Sequence, residues 1–221
     1  MTHQPFIQPY QVNLIRHQLN LLIGSFYFAG DSRVLDASRA NVMATILDQF
    51  TGLTLTAEQR ALLEEAEHVT DKDEQKRYLN KLAPYVIPFP TITAEQIRKL
   101  FPKVKKLVLP DLTDIDYSAL TYLGWRDIGR NSLYMVHHID GKWVGTEWRY
   151  VSGQKGRAYQ CSWCHRAFGG DDVALLTTQL KLRNVPDGYK VTGNHICLNS
   201  ALCNHHLTST DDMYALLAKV K

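Results

Sequence analysis

Apolar positions over the first 83 residues recur at three- and four-residue steps. Val12, Ile15, Leu19, Leu22 and Phe26 form one stripe along a helix, which Gly30 and Asp31 are expected to end. Leu35, Val42, Ile46 and Phe50 define the buried face of a second helix, with the small Ser38 filling a step and Gly52 following its end. Thr56-x-x-Gln59 has the form of a capping box and opens a third, charged helix to about Val69. Asp71-x-x-Glu74 opens a fourth through Leu82. Four short helices on short connections predict an antiparallel bundle.

The helical period stops at Pro84-Tyr85-Val86-Ile87-Pro88-Phe89-Pro90, where fixed φ and missing amide donors forbid a helix. The chain is therefore expected to divide into a helical domain over 1–83 and a mixed domain over 84–221. The aromatic and branched residues of this run suit a linker packed against a surface. Thr93-x-x-Gln96 caps one more short helix, stopped near Pro102, and beyond it the period falls from 3.6 to 2. Residues 104–109 read as a strand, and 133–139 with 143–150 flank Asp140-Gly141, a two-residue hairpin signal. Residues 189–192 and 194–196 read as a second hairpin turning at Gly193. A terminal helix is expected from about Thr210 to Lys219, with Asp211 and Asp212 at its positive end. The fold class is α+β: a helical bundle, then an α/β domain.

Chemistry concentrates near the C-terminus. All four cysteines lie in 43 residues, as Cys161-x2-Cys164 and Cys197-x5-Cys203. Four thiolates satisfy one tetrahedral Zn²⁺, and such a closed site is structural rather than catalytic. A knuckle, a hairpin and then a helix preceded by two further ligands follow the order of a treble clef, here over about 155–221. The wide x5 gap leaves a second ligand set open, Cys161, Cys164, Cys203 and His206, with Cys197 a free thiol. His165, His195 and His205 read as polar neighbours of the metal, and two disulfides are the remaining alternative. Trp125, Trp143 and Trp148 are expected in the core, whereas Trp163, between two ligands on a small knuckle, is expected at the surface.

Enzymatic readings fit poorly, and no catalytic residue is assigned. No His-x-Glu precedes the cysteines, as a zinc deaminase requires. His137 and His138 are adjacent on a strand and point to opposite faces, which weakens a magnesium nuclease reading built on them or on Asn204-His205-His206. Asp111, Asp114 and Asp116 lack the glycine and glutamate of a calcium loop, and phosphate-binding glycine motifs are absent.

Charge adds one hint. Residues 1–83 carry 8 basic and 10 acidic side chains, and 84–221 carry 17 and 12, so the second part is +5. With the run Arg98-Lys99-x3-Lys103-x-Lys105-Lys106, this favours a polyanionic neighbour such as rRNA, though a solvated face is the plainer reading. The first residues form no signal peptide and no run approaches 18 apolar residues, so a cytoplasmic protein without membrane contact is expected. A reducing cytosol agrees with thiolates held for a metal. Without a long apolar heptad seam the expected state is a monomer.

Several runs together resemble the elongation factor G-binding proteins, the family that includes the FusB-type fusidic acid resistance proteins. They are residues 84–89, the segment IRKLFPKVKKLVLP at 97–110, Leu123-Gly124-Trp125 with 131–136, Cys161-x2-Cys164, and Ile196-Cys197-x5-Cys203-Asn204. The resemblance covers most of the chain from 84 onward, and the order and spacing of the runs carry it jointly. It implies the two-part architecture read above and favours Cys197 over His206 as a ligand. It also implies a non-enzymatic role in which the zinc domain docks on elongation factor G and promotes its release from ribosomes trapped by fusidic acid. The implied partner-binding residues are Tyr159, Gln160, Trp163, His195, Tyr214 and Leu216. Gln160, His195 and Leu216 stand where resistance members carry aromatics.

Overall fold

Two capping boxes foreseen from sequence are present in full in the computed structural model, which describes residues 4–28, 30–181 and 188–220. Thr56 Oγ1 accepts from the Gln59 amide at 3.1 Å while Gln59 Oε1 accepts from the Thr56 amide at 3.0 Å, and Thr93 and Gln96 repeat the exchange. Asp71 accepts from the amides of Asp73 and Glu74. These local bonds satisfy amides that a helix start leaves unpaired.

Two compact units result, Met1–Ile87 and Pro88–Lys221. The first holds α1 (Pro9–Phe28), α2 (Ser32–Asp48), α3 (Ala57–Glu64) and α4 (Lys72–Leu82), with α1 packed on α2 and α4. Ile15, Leu19, Leu22, Ile46, Leu63 and Leu82 are fully buried in its core. The third helix tightens to a 3-10 turn over Glu65–His68. The proline-rich run is split between the units. Tyr85 O accepts from the amides of Phe6 and Ile7, and the Ile87 amide donates to Ile7 O, so 85–87 lie beside the chain start. Phe89 belongs to the second unit, where its amide donates to Tyr117 O at 2.9 Å and its ring meets Trp143 edge-on.

The second unit is built on an antiparallel sheet of five strands. They are β1 (Leu123–Asp127), β2 (Ser132–Ile139), β3 (Lys142–Ser152), β6 (Val173–Lys181) and β7 (Tyr189–Cys197), in the order β1-β2-β3-β6-β7. A separate small hairpin pairs β4 (Ala158–Gln160) with β5 (Ala167–Gly169). The β2–β3 hairpin turns at Asp140-Gly141, whose φ values of 50° and 73° suit a type I′ turn. The helix α5 (Ala94–Leu100) and the segment after it cover one face over Trp125, Tyr134 and Val136.

Two sequence expectations are corrected. Residues 104–109 are not a strand: the chain turns at 105–106, with Lys106 at φ 56°. Val104, Leu107 and Leu109 still pack on the core, but side chains take the place of a ladder, with Trp125 Nε1 donating to Val108 O and Arg130 to Lys105 O. Residues 189–197 form one continuous strand rather than a hairpin at Gly193. Gly193 pairs with Thr177, and a Cβ there would run into Leu176 O, so the glycine marks a close approach of two backbones. The partner strand β6 went unread because its Val-Ala-Leu-Leu-Thr-Thr-Gln-Leu-Lys sequence does not alternate cleanly.

Candidate metal centre

Three chain segments deliver the four sulfurs, two of them from one knuckle. Cys161 follows β4, and its amide donates to Arg166 O at 2.9 Å. The His165 amide returns to Cys161 O at 2.9 Å, with His165 at φ 55°. This tight knuckle turns the Cys161 and Cys164 thiols the same way, and the Trp163 amide donates to Cys161 Sγ at 3.4 Å. Cys197 ends β7 opposite Val173. Cys203 sits in the short helix α6 (Ser200–His206), whose N-cap Asn199 accepts from the Leu202 amide at 3.1 Å. The five residues between the last two cysteines therefore span a strand exit, a cap and the first helical turn. That path accounts for the wide spacing.

The four ligand atoms lie within 4.8 Å of one another, and all four residues are buried. Cys161 and Cys203 sulfurs are 3.9 Å apart, and those of Cys164 and Cys197 3.7 Å. A tetrahedral ion with metal–sulfur bonds of about 2.3 Å spaces its ligands about 3.8 Å apart. The set fits such an ion with no disulfide and no fifth donor. Hydrogen bonds from its three sulfur neighbours, Cys164 first, draw the Cys161 thiol far down, while contact with Cys161 drives Cys197 and Cys203 up. Negative charge is thus drawn onto crowded thiols, a situation that a central cation relieves. His206 lies outside the four-sulfur cluster, and its ring tilts against Phe168 at 5.8 Å.

The finger is tied to the sheet by the residue after its last cysteine. Asn204 is buried, and its Oδ1 accepts from the amides of Thr121 and Tyr122 at 2.7 and 3.2 Å. Its Nδ2 donates to Tyr122 O and Ser200 O at 2.9 and 2.8 Å. Ser200 Oγ adds a 2.6 Å bond to Gly124 O, where a side chain on Gly124 would collide with Ser200. Below the knuckle, Tyr122, His137 and Trp163 stack in contact, with ring centroids 5.2–6.1 Å apart. His137 is fully buried, which pushes its pKa down to about 3. His138 lies on the other face, half-buried.

Tyr159, Gln160 and His195 gather beside the knuckle. The Tyr159 ring stacks on His195 at 5.3 Å and 17°, under the Arg157 guanidinium, and its hydroxyl accepts from the Gln154 amide. Gln160 is exposed and donates to His165 O, while His195 O accepts from the Ser162 amide. The terminal helix α7 (Asp211–Ala218) reaches the same side, where Asp212 pairs with His165 at 3.2 Å. Tyr214 is 41 % exposed, beside His138 and Asp140.

Two residues read as partner contacts are placed otherwise. Trp163 and Leu216 are each 1 % exposed. Trp163 turns inward because the knuckle is too small to shield its own sulfurs and needs the sheet as a floor. Leu216 faces inward with Met213 and Leu217, leaving Tyr214 outside. Sequence reasoning gave Tyr122 no role, since an isolated aromatic carries no positional signal. The Asn204 position was visible only as part of the Cys-x5-Cys-Asn run.

Residues 6–90 match the family model described as elongation factor G-binding protein, N-terminal. Residues 99–213 match that described as FBP C-terminal treble-clef zinc-finger. The chain belongs to the elongation factor G-binding protein family. A solved structure titled as that of the fusidic acid resistance protein FusC superposes over 100% of both chains, at 25% identity and a TM-score of 0.81. The fold of this family member is therefore shared along its whole length with FusC. No curated protein sequence matches the chain significantly.

Proposed function

We propose that this protein binds elongation factor G and promotes its release from the ribosome, without catalysis, using a zinc-bound finger as a rigid platform. The carrying observation is that both family matches fall on one chain that also keeps the four-sulfur centre. Zn²⁺ held by Cys161, Cys164, Cys197 and Cys203 fixes the hairpin, strand and helix relative to one another. A closed tetrathiolate offers no open coordination position, so the ion shapes a surface rather than a reaction. Tyr159, Gln160, His195 and Tyr214 supply that surface, with residues 84–221 as the binding part. Trp163 and Leu216 support it from within.

Release follows from differential affinity: a protein that binds one state of the factor more tightly shifts its population toward that state. The protein acts in this reading as a cytoplasmic monomer. Among the described residues no helix is long and apolar enough to cross a membrane. Calorimetry with elongation factor G is expected to give a Kd tighter than ~10 µM, or about −7 kcal/mol, and Tyr159→Ala to weaken it ~10-fold or more. No heat and no complex at that concentration would remove the reading. With ribosomes stalled by fusidic acid, the zinc-loaded protein is expected to move the factor from pellet to supernatant.

A second reading, contact with rRNA, has one observation of its own. The Arg130 guanidinium donates to Lys105 O at 2.6 Å and that of Arg149 to Arg130 O at 2.7 Å, which clusters cations beside exposed Lys106. The adjacent Asp127 carboxylate is turned inward, 10 % exposed and 3.7 Å from Arg130. If phosphates bind there, affinity for an rRNA fragment falls steeply as salt rises, and the double variant Arg130→Ala, Arg149→Ala flattens the slope by about two. A salt-independent signal, or none at low salt, discards it.

A further inference from the structure

Among the described residues, buried side-chain polar atoms without a hydrogen-bond partner concentrate in one place. Besides Arg39 Nε in the helical unit, they are Thr121 Oγ1, the Tyr122 hydroxyl, both ring nitrogens of His137 and Trp163 Nε1. Buried polar atoms are ordinarily paired, and an unpaired one costs about 1–3 kcal/mol. Such a concentration against the wall of a metal centre calls for a reason.

The reason is clearest at Tyr122, which is fully buried. Its hydroxyl makes no hydrogen bond, and its ionisable neighbours are the thiols of Cys203, Cys161 and Cys197. Burial holds its pKa well above the ordinary value of 10.0. The backbone of the same residue is clamped from the other side. Asn204, next to Cys203, accepts from the Tyr122 amide and donates to its carbonyl. Asn204 of the finger helix thus holds the backbone of the residue that leads into β1, and its neighbour Cys203 is among the groups around that residue's hydroxyl.

We propose that Tyr122 is the outer hydrogen-bond donor of the metal centre, its hydroxyl donating to the Cys203 thiolate when the ion is bound, with Asn204 as the positioning residue. This rests on the zinc reading above. Four thiolates around a divalent ion carry a net charge of −2, and in a buried site that charge needs donors. The Trp163 amide, 3.4 Å from Cys161 Sγ, is one; the Tyr122 hydroxyl is another. O–H donation to a thiolate stabilises the charged ligand and lowers its reactivity, and partners of this kind typically govern 10–100-fold in metal affinity. Without metal, protonated thiols offer a poorer acceptor and the hydroxyl stands unsatisfied.

The test is Tyr122→Phe in the full-length protein, which removes one oxygen and keeps the ring against Trp163 and His137. Zinc affinity is read by chelator competition, and the sulfur-to-metal charge-transfer band is read after cobalt substitution. Tyr134→Phe is the control, since that buried ring keeps its hydroxyl near Glu147 at 3.3 Å, away from the sulfurs. The expected result is zinc affinity 10–100-fold lower and the cobalt band shifted to lower energy in Tyr122→Phe only. Affinity within twofold of the parent with an unmoved band overturns the proposal, as does an equal change in Tyr134→Phe. If the parent itself takes up neither zinc nor cobalt, the zinc reading fails instead.

Discussion

Replacing Cys203 by serine is expected to remove the metal and unfold the C-terminal third of the chain, while the helical unit stays folded. The sulfur lost is the one α6 contributes, so the ion would keep only the knuckle and the strand end. A structural zinc site contributes on the order of 10 kcal/mol or more to folding, and a whole domain is stable by only about 5–15 kcal/mol. The centre is therefore worth as much as the second unit has to spare. The first unit draws on a separate core, in which Ile15, Leu19, Leu22, Ile46, Leu63 and Leu82 are buried. Metal analysis should fall from one zinc per chain to near none. Circular dichroism should lose the tertiary signal of the buried Trp148 and Trp163 but keep most of its helical signal. A chelator added to the parent protein should reproduce both changes. A serine variant that still holds one zinc and melts at the parent temperature would contradict the account.

Signals decided within four residues were legible in the sequence. The boxes at Thr56 and Thr93, the cap at Asp71 and the turn at Asp140-Gly141 depend on bonds that close locally, so composition at fixed offsets suffices to find them. Strands are decided by partners far along the chain. Residues 104–109 have strand-like composition, yet the carbonyls there are taken by Trp125 and Arg130, some 17 and 25 residues away. Gly193 reads locally as a turn and globally as the spot where β7 presses on Leu176. The same division runs through the site. Cysteine spacing exposes the four sulfurs because a metal demands that chemistry whatever the fold. Whether Trp163 or Leu216 faces outward depends on the sheet beneath, and no local pattern encodes it.

Asn204→Ala is expected to destabilise the second unit by about 3 kcal/mol or more, a large effect for a residue that touches no metal. Its side chain acts as a short length of strand. Oδ1 accepts from the amides of Thr121 and Tyr122, and Nδ2 donates a hydrogen bond to Tyr122 O, so the chain entering β1 is paired to the finger helix without a neighbouring strand. Alanine leaves two donors and one acceptor unpaired in a region where Tyr122 is 0 % exposed, at about 1–3 kcal/mol each before relaxation. Asn204→Asp separates pairing from shape. The carboxylate still accepts both amides but cannot donate to Tyr122 O or Ser200 O, and it places a charge in a buried site, so its loss should be at least as large. Denaturant titration followed by tryptophan fluorescence reads both variants, and the midpoint should fall with the slope unchanged. If Asn204→Ala loses less than about 1 kcal/mol, the finger is held to the sheet by its other contacts and the clamp is incidental. Because the same bonds set the backbone of Tyr122, the destabilised variant should also bind zinc more weakly than Tyr122→Phe does: it displaces the whole residue, where phenylalanine removes only its hydroxyl.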